Sequence, residues 1–160
     1  MIKAWIVGQD QLVNRFTNLQ VRLVQRIYVT MVGLADDLTA YIKMNKLSGQ
    51  VVNVRTGNLR NSIKKVVVEN GSQITAIVGS NVPSKPVPYA GWLENGTPAY
   101  DIVPKEKKAL AFQWKGKQFI LKKVHHPGVA GRFFMRDSLA EFKPVIIMRL
   151  NQAIKQEIGS

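Results

Sequence analysis

The sequence predicts an α+β domain in which a small antiparallel β-sheet packs against a long N-terminal helix and a C-terminal helix. Apolar residues recur in steps of three and four near both ends of the chain, which is the period of one helix face. Between them, two pairs of strand-like segments flank the short turns Asn70-Gly71 and Lys115-Gly116. A chain of 160 residues fits one domain with a sizeable core. We divide it into the long helix over residues 1–50, the sheet over 51–126, and a crossover with the final helix over 127–160.

The long helix is predicted from Asp10 to Leu47, a stretch without proline. Asp10 is a candidate N-cap and Gly49 a candidate stop. Such a helix would be roughly 55 Å long, so it either breaks, most easily at Gly33, or extends beyond the domain. Its apolar face comprises Leu12, Phe16, Leu19, Leu23, Ile27, Met31, Leu34, Leu38 and Ile42.

A second apolar stripe begins in the middle of this helix, at Val24, Tyr28, Val32 and Ala35. The helix is therefore apolar over more than one face, and two interpretations follow. In the first, the helix is clamped between a sheet and another helix. In the second, one stripe meets a second copy of the protein.

The first hairpin is predicted about Asn70-Gly71, the preferred pair for a two-residue type I′ turn. That turn pairs Val67 with Ile74, Lys65 with Ala76, and Ile63 with Val78, and the resulting face is apolar except for Lys65. Before it, Thr56 caps a helical turn from which Leu59 and Ile63 face inward. After it, a proline-rich loop over residues 80–98 contains a short helical turn that ends at Gly96.

The second hairpin is predicted about Lys115-Gly116. Alternation places five apolar side chains on one face, which we expect to pack on the core in one sheet with the first hairpin: Leu110, Phe112, Trp114, Phe119 and Leu121. Lysines crowd the same region, where Glu106 is the one acidic residue, and they either protect an edge strand or contact phosphates: Lys105, Lys107, Lys108, Lys115, Lys117, Lys122 and Lys123.

The final helix is predicted from Phe134 to Ile158. Pro144 lies inside it and cannot donate a backbone hydrogen bond, so the helix either kinks there or ends near Lys143 and restarts. Its predicted buried face comprises Leu139, Phe142, Ile146, Leu150, Ala153 and Ile154.

The net charge of +13 indicates a polyanionic neighbour, which is a nucleic acid, an acidic membrane or an acidic protein surface. The seven lysines, with Arg132 and Arg136, are the candidate surface facing DNA or an acidic partner. No apolar run reaches the roughly 18 residues of a transmembrane helix. The chain has no cysteine, which excludes disulfides and thiolate metal sites and suits a reducing cytoplasm.

Residues with catalytic or metal-binding potential do not converge in the sequence. His125 and His126 are adjacent, so in an extended segment they face opposite sides and make a poor chelating pair. Asp36 and Asp37 are separated by about 100° on a helix and do not form a carboxylate pair. We therefore expect neither an enzyme nor a metal or cofactor site.

Three segments, taken in order, resemble one family of proteins. The first is Arg55-Thr56-Gly57-Asn58-Leu59-Arg60-Asn61-Ser62-Ile63, the second is Tyr89-Ala90 with Glu94, Gly96 and Thr97, and the third is His126-Pro127-Gly128 followed by Gly131-Arg132-Phe133-Phe134-Met135-Arg136 and Leu139. Their order and spacing are similar to the gene-10-like tail-component family of long-tailed bacteriophages, also called tail-completion or neck proteins. The resemblance covers about Arg55 to Leu139, and family members often carry proline where this chain has Phe133 and Asp137.

The resemblance implies a non-enzymatic virion protein, made in the cytoplasm of the host bacterium. Proteins of this family have a small antiparallel sheet packed on helices. They form rings between the portal vertex of the capsid and the tail tube, around the DNA channel. The implied partners are further copies of the chain and other head–tail junction and tail proteins, with DNA nearby and no membrane.

A second function class stays open, a basic nucleic-acid-binding protein of a cell. Aromatic side chains interleaved with basic ones would favour it, because bases stack on exposed rings. By register, Phe112, Trp114 and Phe119 fall on the apolar face of the second hairpin, so we expect them in the core.

Overall fold

The computed structural model describes residues 9–53, 56–71, 73–80 and 89–159. It has mixed α+β architecture with small antiparallel sheets, which confirms the predicted fold class. The helices are α1 (Gln9–Asn45), α2 (Asn58–Ser62), α3 (Ala90–Asn95) and α4 (Phe134–Ile158). The strands are β1 (Ile63–Asn70), β2 (Gln73–Ser80), β3 (Gly96–Thr97), β4 (Tyr100–Ile102), β5 (Leu110–Trp114), β6 (Lys117–Leu121), β7 (Val124–His126) and β8 (Val129–Ala130).

The chain divides into two compact units. Unit 1 combines residues 1–87 with 134–160, and unit 2 comprises residues 88–133. The two helical ends of the chain therefore belong to the same unit, and the second hairpin belongs to the other. That the whole chain is one domain stays a prediction, because a boundary of this kind also occurs within domains.

Helix α1 is continuous from Gln9 to Asn45, close to its predicted bounds. Asp10 lies inside the first turn, so its predicted role as N-cap is wrong, although a carboxylate there still favours the helix dipole. The helix also runs through Gly33 without a break. Once the turn-to-turn hydrogen bonds continue on both sides of a glycine, its cost of about 1 kcal/mol is too small to end a packed helix.

The second half of α1 forms the core of unit 1. Leu34, Leu38 and Ile42 are buried, and α1 contacts both α4 and the hairpin of β1 and β2. The second stripe is also covered here, with Ala35 buried and Val24, Tyr28 and Val32 half-buried. The clamped interpretation of α1 is therefore confirmed for this half of the helix.

Helix α4 has its predicted bounds and contains Pro144 without ending there. Of the two alternatives that the sequence left open at Pro144, an end near Lys143 followed by a restart is therefore excluded. Leu139 was expected on the buried face and is 53% exposed, because the buried line begins one position earlier, at Phe134 and Ser138. The buried Ser138 hydroxyl donates to the Phe134 carbonyl oxygen at 2.6 Å, which satisfies it within the helix. The remaining members of the predicted face are buried or half-buried: Phe142, Ile146, Leu150, Ala153 and Ile154.

Polar contacts fix α1 and α4 in antiparallel register. They join Tyr41 and Lys46 to Glu141, Asp37 to Arg149, and Arg26 and Arg22 to Glu157. The last contact lies next to the end of α4 at Ile158. Because α1 begins at Gln9, roughly 20 Å of it extends past this point. The long helix thus extends beyond its packing partner, which was one of the two predicted outcomes.

The extending part of α1 carries apolar side chains that its own unit does not cover. Every residue from 10 to 18 is exposed, including Leu12 (55%) and Phe16 (63%). These two residues lie on the same helix face as Leu34 and Leu38, which are buried further along. The stripe therefore continues past the end of its intramolecular partner.

The first hairpin forms with a register two residues away from the predicted one. Val67 pairs with Ala76, Lys65 with Val78 and Ile63 with Ser80, so the predicted pairs are wrong. The turn follows Asn70, with Gly71 at a φ of 60°. This register pairs all eight residues of each strand. Because side chains alternate with a period of two, a two-residue shift leaves each residue on its predicted face.

Lys65 interrupts the apolar face of this hairpin for a reason that the tertiary structure supplies. Its ammonium group forms an ion pair with Asp36 of α1 and also donates to the Val32 carbonyl oxygen at 3.3 Å. The charge of Lys65, on the side of the hairpin that meets α1, is therefore compensated by a carboxylate of α1.

The strands of the described residues form four separate two-stranded antiparallel sheets: β1–β2, β3–β8, β4–β7 and β5–β6. The expectation that both hairpins share one sheet is therefore wrong, because they lie in different compact units. None of the helices within the described ranges has a stretch long and apolar enough to cross a membrane.

The contact of Glu141 with α1 predicts acid sensitivity of unit 1. Lys46 donates to this carboxylate at 2.8 Å and Tyr41 at 2.6 Å, and these bonds hold the pKa of Glu141 below its usual value. A carboxyl whose pKa is lowered on folding stabilises the folded state at pH values above its pKa in the unfolded chain, about 4.3. This stabilisation is lost as the pH falls through the pKa of the folded state. We expect Glu141→Gln to lower Tm at pH 7, and the difference from wild type to narrow as the pH approaches 3.

The control for this experiment is Glu69→Gln, which removes the same charge from an exposed position in unit 1. Its melting curves should follow those of wild type across the pH range. A Glu141→Gln difference that stays constant from pH 7 to pH 3 would contradict the assigned role of the carboxylate.

Candidate functional site

The family-like segments fall into both compact units. Thr56, Gly57, Leu59 and Arg60 lie in unit 1, and Arg55 lies outside the described residues. The second and third segments meet in unit 2. There, β3 and β8 pair Gly96 with Ala130 and Thr97 with Val129. We call this meeting point, residues 93–97 with 126–133, the motif junction.

Main-chain hydrogen bonds close the motif junction. The Arg132 N–H donates to the Leu93 carbonyl oxygen at 2.7 Å, and the Phe133 N–H donates to the Glu94 carbonyl oxygen at 3.1 Å. Helix α3 ends at Gly96 as predicted, with the Gly96 N–H donating to the Trp92 carbonyl oxygen. The end of a short helix is therefore joined to the chain that leads into α4.

Glycine is required in the motif junction because the two backbones approach too closely for a side chain. A Cβ on Gly96 would lie 2.6 Å from the Gly131 nitrogen and would overlap the Val129 carbonyl oxygen. A Cβ on Gly128 would overlap the Thr97 carbonyl oxygen, and Gly96 and Gly128 both have positive φ, at 79° and 83°. These motif glycines therefore have a structural role that follows from backbone contact.

His126 has a defined structural role in the same junction. Its Nδ1 accepts a hydrogen bond from the Gly128 N–H at 3.0 Å, which puts the proton of the neutral ring on Nε2. The ring stacks on Tyr100 with centroids 4.9 Å apart. His126 thereby folds the chain through the exposed Pro127 into the turn at Gly128.

His125 faces the other side of β7, as the sequence predicted for adjacent residues in a strand. Its Nδ1 lies 2.9 Å from an Asp101 oxygen, and Lys123 donates to the second Asp101 oxygen at 2.7 Å. The hydrogen bonds from Lys123 and then His125 hold the pKa of Asp101 below its usual value. Nothing in the sequence points to this group, since only the pairing of β4 with β7 brings Asp101 opposite His125.

Groups of three or more His, Asp or Glu side chains suited to holding a metal ion do not occur within the described residues. Asp36 and Asp37 bind different basic partners, Lys65 and Arg149. Both of these carboxylates are thus engaged by basic side chains in the structure.

In unit 1, the segment from Thr56 to Ile63 forms α2 and the entry to β1. Leu59 and Ile63 are buried as predicted, and Arg60 is exposed. The predicted cap is wrong, since the N-cap residue is Gly57, at a φ of 74°. Thr56 accepts only a long hydrogen bond, at 3.5 Å, from the Asn58 N–H.

All seven candidate lysines are exposed and belong to unit 2, where they form two groups at the ends of the second hairpin. Lys115 and Lys117 lie at the turn, and the Lys115 ammonium group is 4.9 Å from the Trp114 ring centroid. Because Leu110 pairs with Leu121, the chain segments on either side meet at the open end of the hairpin. They carry the other group: Lys105, Lys107, Lys108, Lys122 and Lys123.

The register of the second hairpin is confirmed, with Phe112 opposite Phe119 and Trp114 opposite Lys117. Its apolar side is not core, however. Trp114 is 60% exposed, Leu121 41% and Phe112 39%. Alternation shows which residues share a face and cannot show whether another element covers it, which is why the sequence analysis placed this face inside.

The two arginines of the candidate surface fall in different units. Arg132 is in unit 2 and its side chain is exposed. Arg136 is in unit 1, also exposed, and its Nε lies 3.5 Å from Asp137. The seven lysines and Arg132 therefore belong to one unit, and Arg136 belongs to the other.

In comparisons with known proteins, the chain matches no family model, no curated protein and no solved structure.

The motif junction gives a prediction for two glycines of unit 2. Gly96→Ala should destabilise the fold by at least about 2 kcal/mol, because a side chain at positive φ is strained and the added methyl would overlap the Val129 carbonyl oxygen. Gly91→Ala, inside α3 with open space around it, should be neutral or stabilising by up to about 1 kcal/mol. Chemical denaturation followed by circular dichroism measures both, and equal effects of the two changes would contradict the proposed role of Gly96.

Proposed function

We propose that this chain is a structural virion protein of a tailed bacteriophage. In this proposal it forms a ring as a tail-completion or neck protein, which joins the capsid portal complex to the tail around the DNA channel. It acts by assembly and not by catalysis. Its partners are further copies of itself and other head–tail junction and tail proteins.

The observation that carries the proposal is the apolar stripe on α1 beyond the end of α4. Leu12 and Phe16 are each more than half exposed there, on a helix whose second half uses the same face as core. A continuous apolar stripe along an extending helix is a surface that a partner helix or groove covers. Identical subunits that meet head to tail close into a ring when the rotation between them permits it.

Two further features support the proposal. The three family-like segments occur in the order and spacing of phage tail-completion proteins. The net charge of +13 suits a protein that surrounds or borders DNA. The proline-rich loop is also long enough to reach a neighbouring subunit, and its residues 81–88 lie outside the described residues.

The sequence left open which stripe of α1 meets a second copy of the protein, and the second stripe is largely covered within its own unit. Val24, Tyr28 and Val32 are half-buried and Ala35 is buried. The candidate subunit contact is therefore the first stripe, at Leu12 and Phe16.

Replacing Leu12 and Phe16 together by Asp should prevent assembly and leave the folded subunit intact. Both side chains are exposed, so the effect on unfolding should stay within about 1 kcal/mol, whereas two charges in an apolar contact lose their hydration without a partner. The measurement is complementation of phage that lack the gene, with electron microscopy of the particles. We expect filled heads and separate tails.

The matched control replaces Asn14 and Asn18 by Asp. These residues are exposed on the opposite side of the same segment and introduce the same charge. This control should give joined, infectious particles. Infectious virions that lack the protein altogether would exclude the proposed function.

The second candidate is a basic nucleic-acid-binding protein, and one observation favours it. Phe112 and Trp114 are exposed between the two groups of lysines, where the sequence analysis expected core. Salt-sensitive binding to free DNA by a chain that forms no rings and joins no phage particles would favour this candidate over the first.

Replacing Lys115, Lys117, Lys122 and Lys123 by Gln tests whether the lysine groups contact DNA. We expect weaker binding to duplex DNA. The plot of log affinity against log salt concentration should become less steep, by about one unit of slope for each phosphate that a lysine no longer neutralises. The control variant removes the same number of positive charges from unit 1, by replacing four of its lysines by Gln: Lys43, Lys64, Lys143 and Lys155. Binding by fluorescence anisotropy at several salt concentrations compares the two, and equal losses of affinity would show a dependence on net charge alone.

A further inference from the structure

The second hairpin, β5 with β6, has the features of an incomplete structural layer. Within the described residues, its two five-residue strands pair only with each other. A two-stranded hairpin is marginally stable in water unless a further strand, a helix or another surface covers its apolar side. Such a hairpin is therefore suited to a second element that its own strands do not supply.

The apolar side of this hairpin is a contiguous patch. Phe112 stacks on Phe119 with centroids 5.6 Å apart, and Trp114 lies 6.3 Å from Phe119. Leu110 and Leu121 extend the patch toward the open end, where they pair with each other. Large aromatic side chains, Trp above all, are among the residues that contribute most binding energy when a partner protein covers them.

The lysines lie at the two ends of this patch, and at the turn they meet its last aromatic residue, because Lys117 pairs with Trp114 and the Lys115 ammonium group lies 4.9 Å from the Trp114 ring centroid. Lys115 and Lys117 lie at the turn, and Lys108, Lys122 and Lys123 lie at the open end, roughly 14 Å away. An apolar centre with a charged rim is the anatomy of a protein–protein interface. A platform for single-stranded nucleic acid instead places basic residues along the strand, between the stacking rings.

The charge of the rim decides which protein fits. The chain carries +13, and the acidic groups Asp36, Asp37, Glu141 and Glu157 already bind basic side chains of unit 1. A second copy of the chain therefore offers mainly positive charge, with 23 Lys and Arg against ten Asp and Glu, and two lysine rims would repel each other.

We infer that the β5–β6 hairpin is a docking surface for a different protein, whose contacting surface is apolar at its centre and acidic at its rim. The aromatic residues supply the buried centre of the contact, and the two lysine groups supply the steering charges. The inference concerns another surface than the α1 stripe and does not require the ring proposal.

The test is a selection of random twelve-residue peptides, displayed on yeast, against the full chain. We expect the selected peptides to be enriched in Asp and Glu together with aromatic or aliphatic residues. Their affinity should fall at least about tenfold when Phe112 and Trp114 are replaced by Ser, since truncation of interface anchors has effects of this size. It should also fall when the salt concentration is raised from 50 to 300 mM.

The matched control changes the opposite face of the same hairpin. Ala111→Ser with Ile120→Ser alters a cross-strand pair whose members are both exposed, so it leaves the aromatic patch in place. These changes should alter peptide affinity less than twofold. A second variant, Lys115→Gln with Lys117→Gln, keeps the aromatic side chains in place. It should lower the affinity for acidic peptides severalfold.

Three results would overturn the inference. The first is that no peptide is selected, or that the selected peptides lack an acidic bias. The second is an equal fall in affinity from changes on either face of the hairpin. The third is tighter binding of a twenty-nucleotide oligo(dT) than of any peptide, abolished by replacing Phe112 and Trp114, which would assign the face to single-stranded nucleic acid. Particle assembly is measured separately, so failure here leaves the α1 experiment informative.

Discussion

The antiparallel pairing of α1 with α4 is the contact on which unit 1 depends. It brings the first and last helices of the chain together and buries Leu34, Leu38 and Ile42. Polar contacts along both helices fix the register, from Glu141 near one end to Glu157 near the other. Once that register is fixed, the difference in length between the 37 residues of α1 and the 25 of α4 has a structural consequence. The surplus must extend past the end of the shorter helix, together with its apolar stripe.

Unit 2 is organised by main-chain contact and not by a large apolar core. At the motif junction, Gly96, Gly128 and Gly131 allow two backbone segments to approach closely enough for β3 and β8 to pair. His126 supports the same turn by accepting the Gly128 N–H. The family-like residues of this unit are thus explained by local geometry. The surfaces available for interaction lie elsewhere, on the α1 stripe and on the lysine-bordered hairpin.

Those two surfaces differ in the chemistry of the partner that each fits. The extending part of α1 is an apolar helix face that continues a core-forming stripe, which suits a helical or grooved partner such as another subunit. The hairpin face is aromatic and rimmed by lysine, which suits an acidic surface of another protein. In the proposed ring, the first surface would meet further copies of the chain and the second a neighbouring component.

The elements whose signals are local follow from the sequence alone. Periodicity gave both long helices nearly to the residue, the Lys115-Gly116 turn gave the register of the second hairpin, and alternation gave the residues that share a face. The register of the first hairpin was decided by tertiary structure. A two-residue turn can begin at Asn70 or at Gly71, and the contact of this hairpin with α1 joins segments that are distant in the sequence. Exposure of Phe112 and Trp114, the pairing of Lys65 with Asp36, and the meeting of Asp101 with His125 were likewise decided only in three dimensions. The physical reason is the same in each case: a pattern along one chain segment specifies which side chains share a face, whereas burial and partners depend on which distant segment arrives to cover that face.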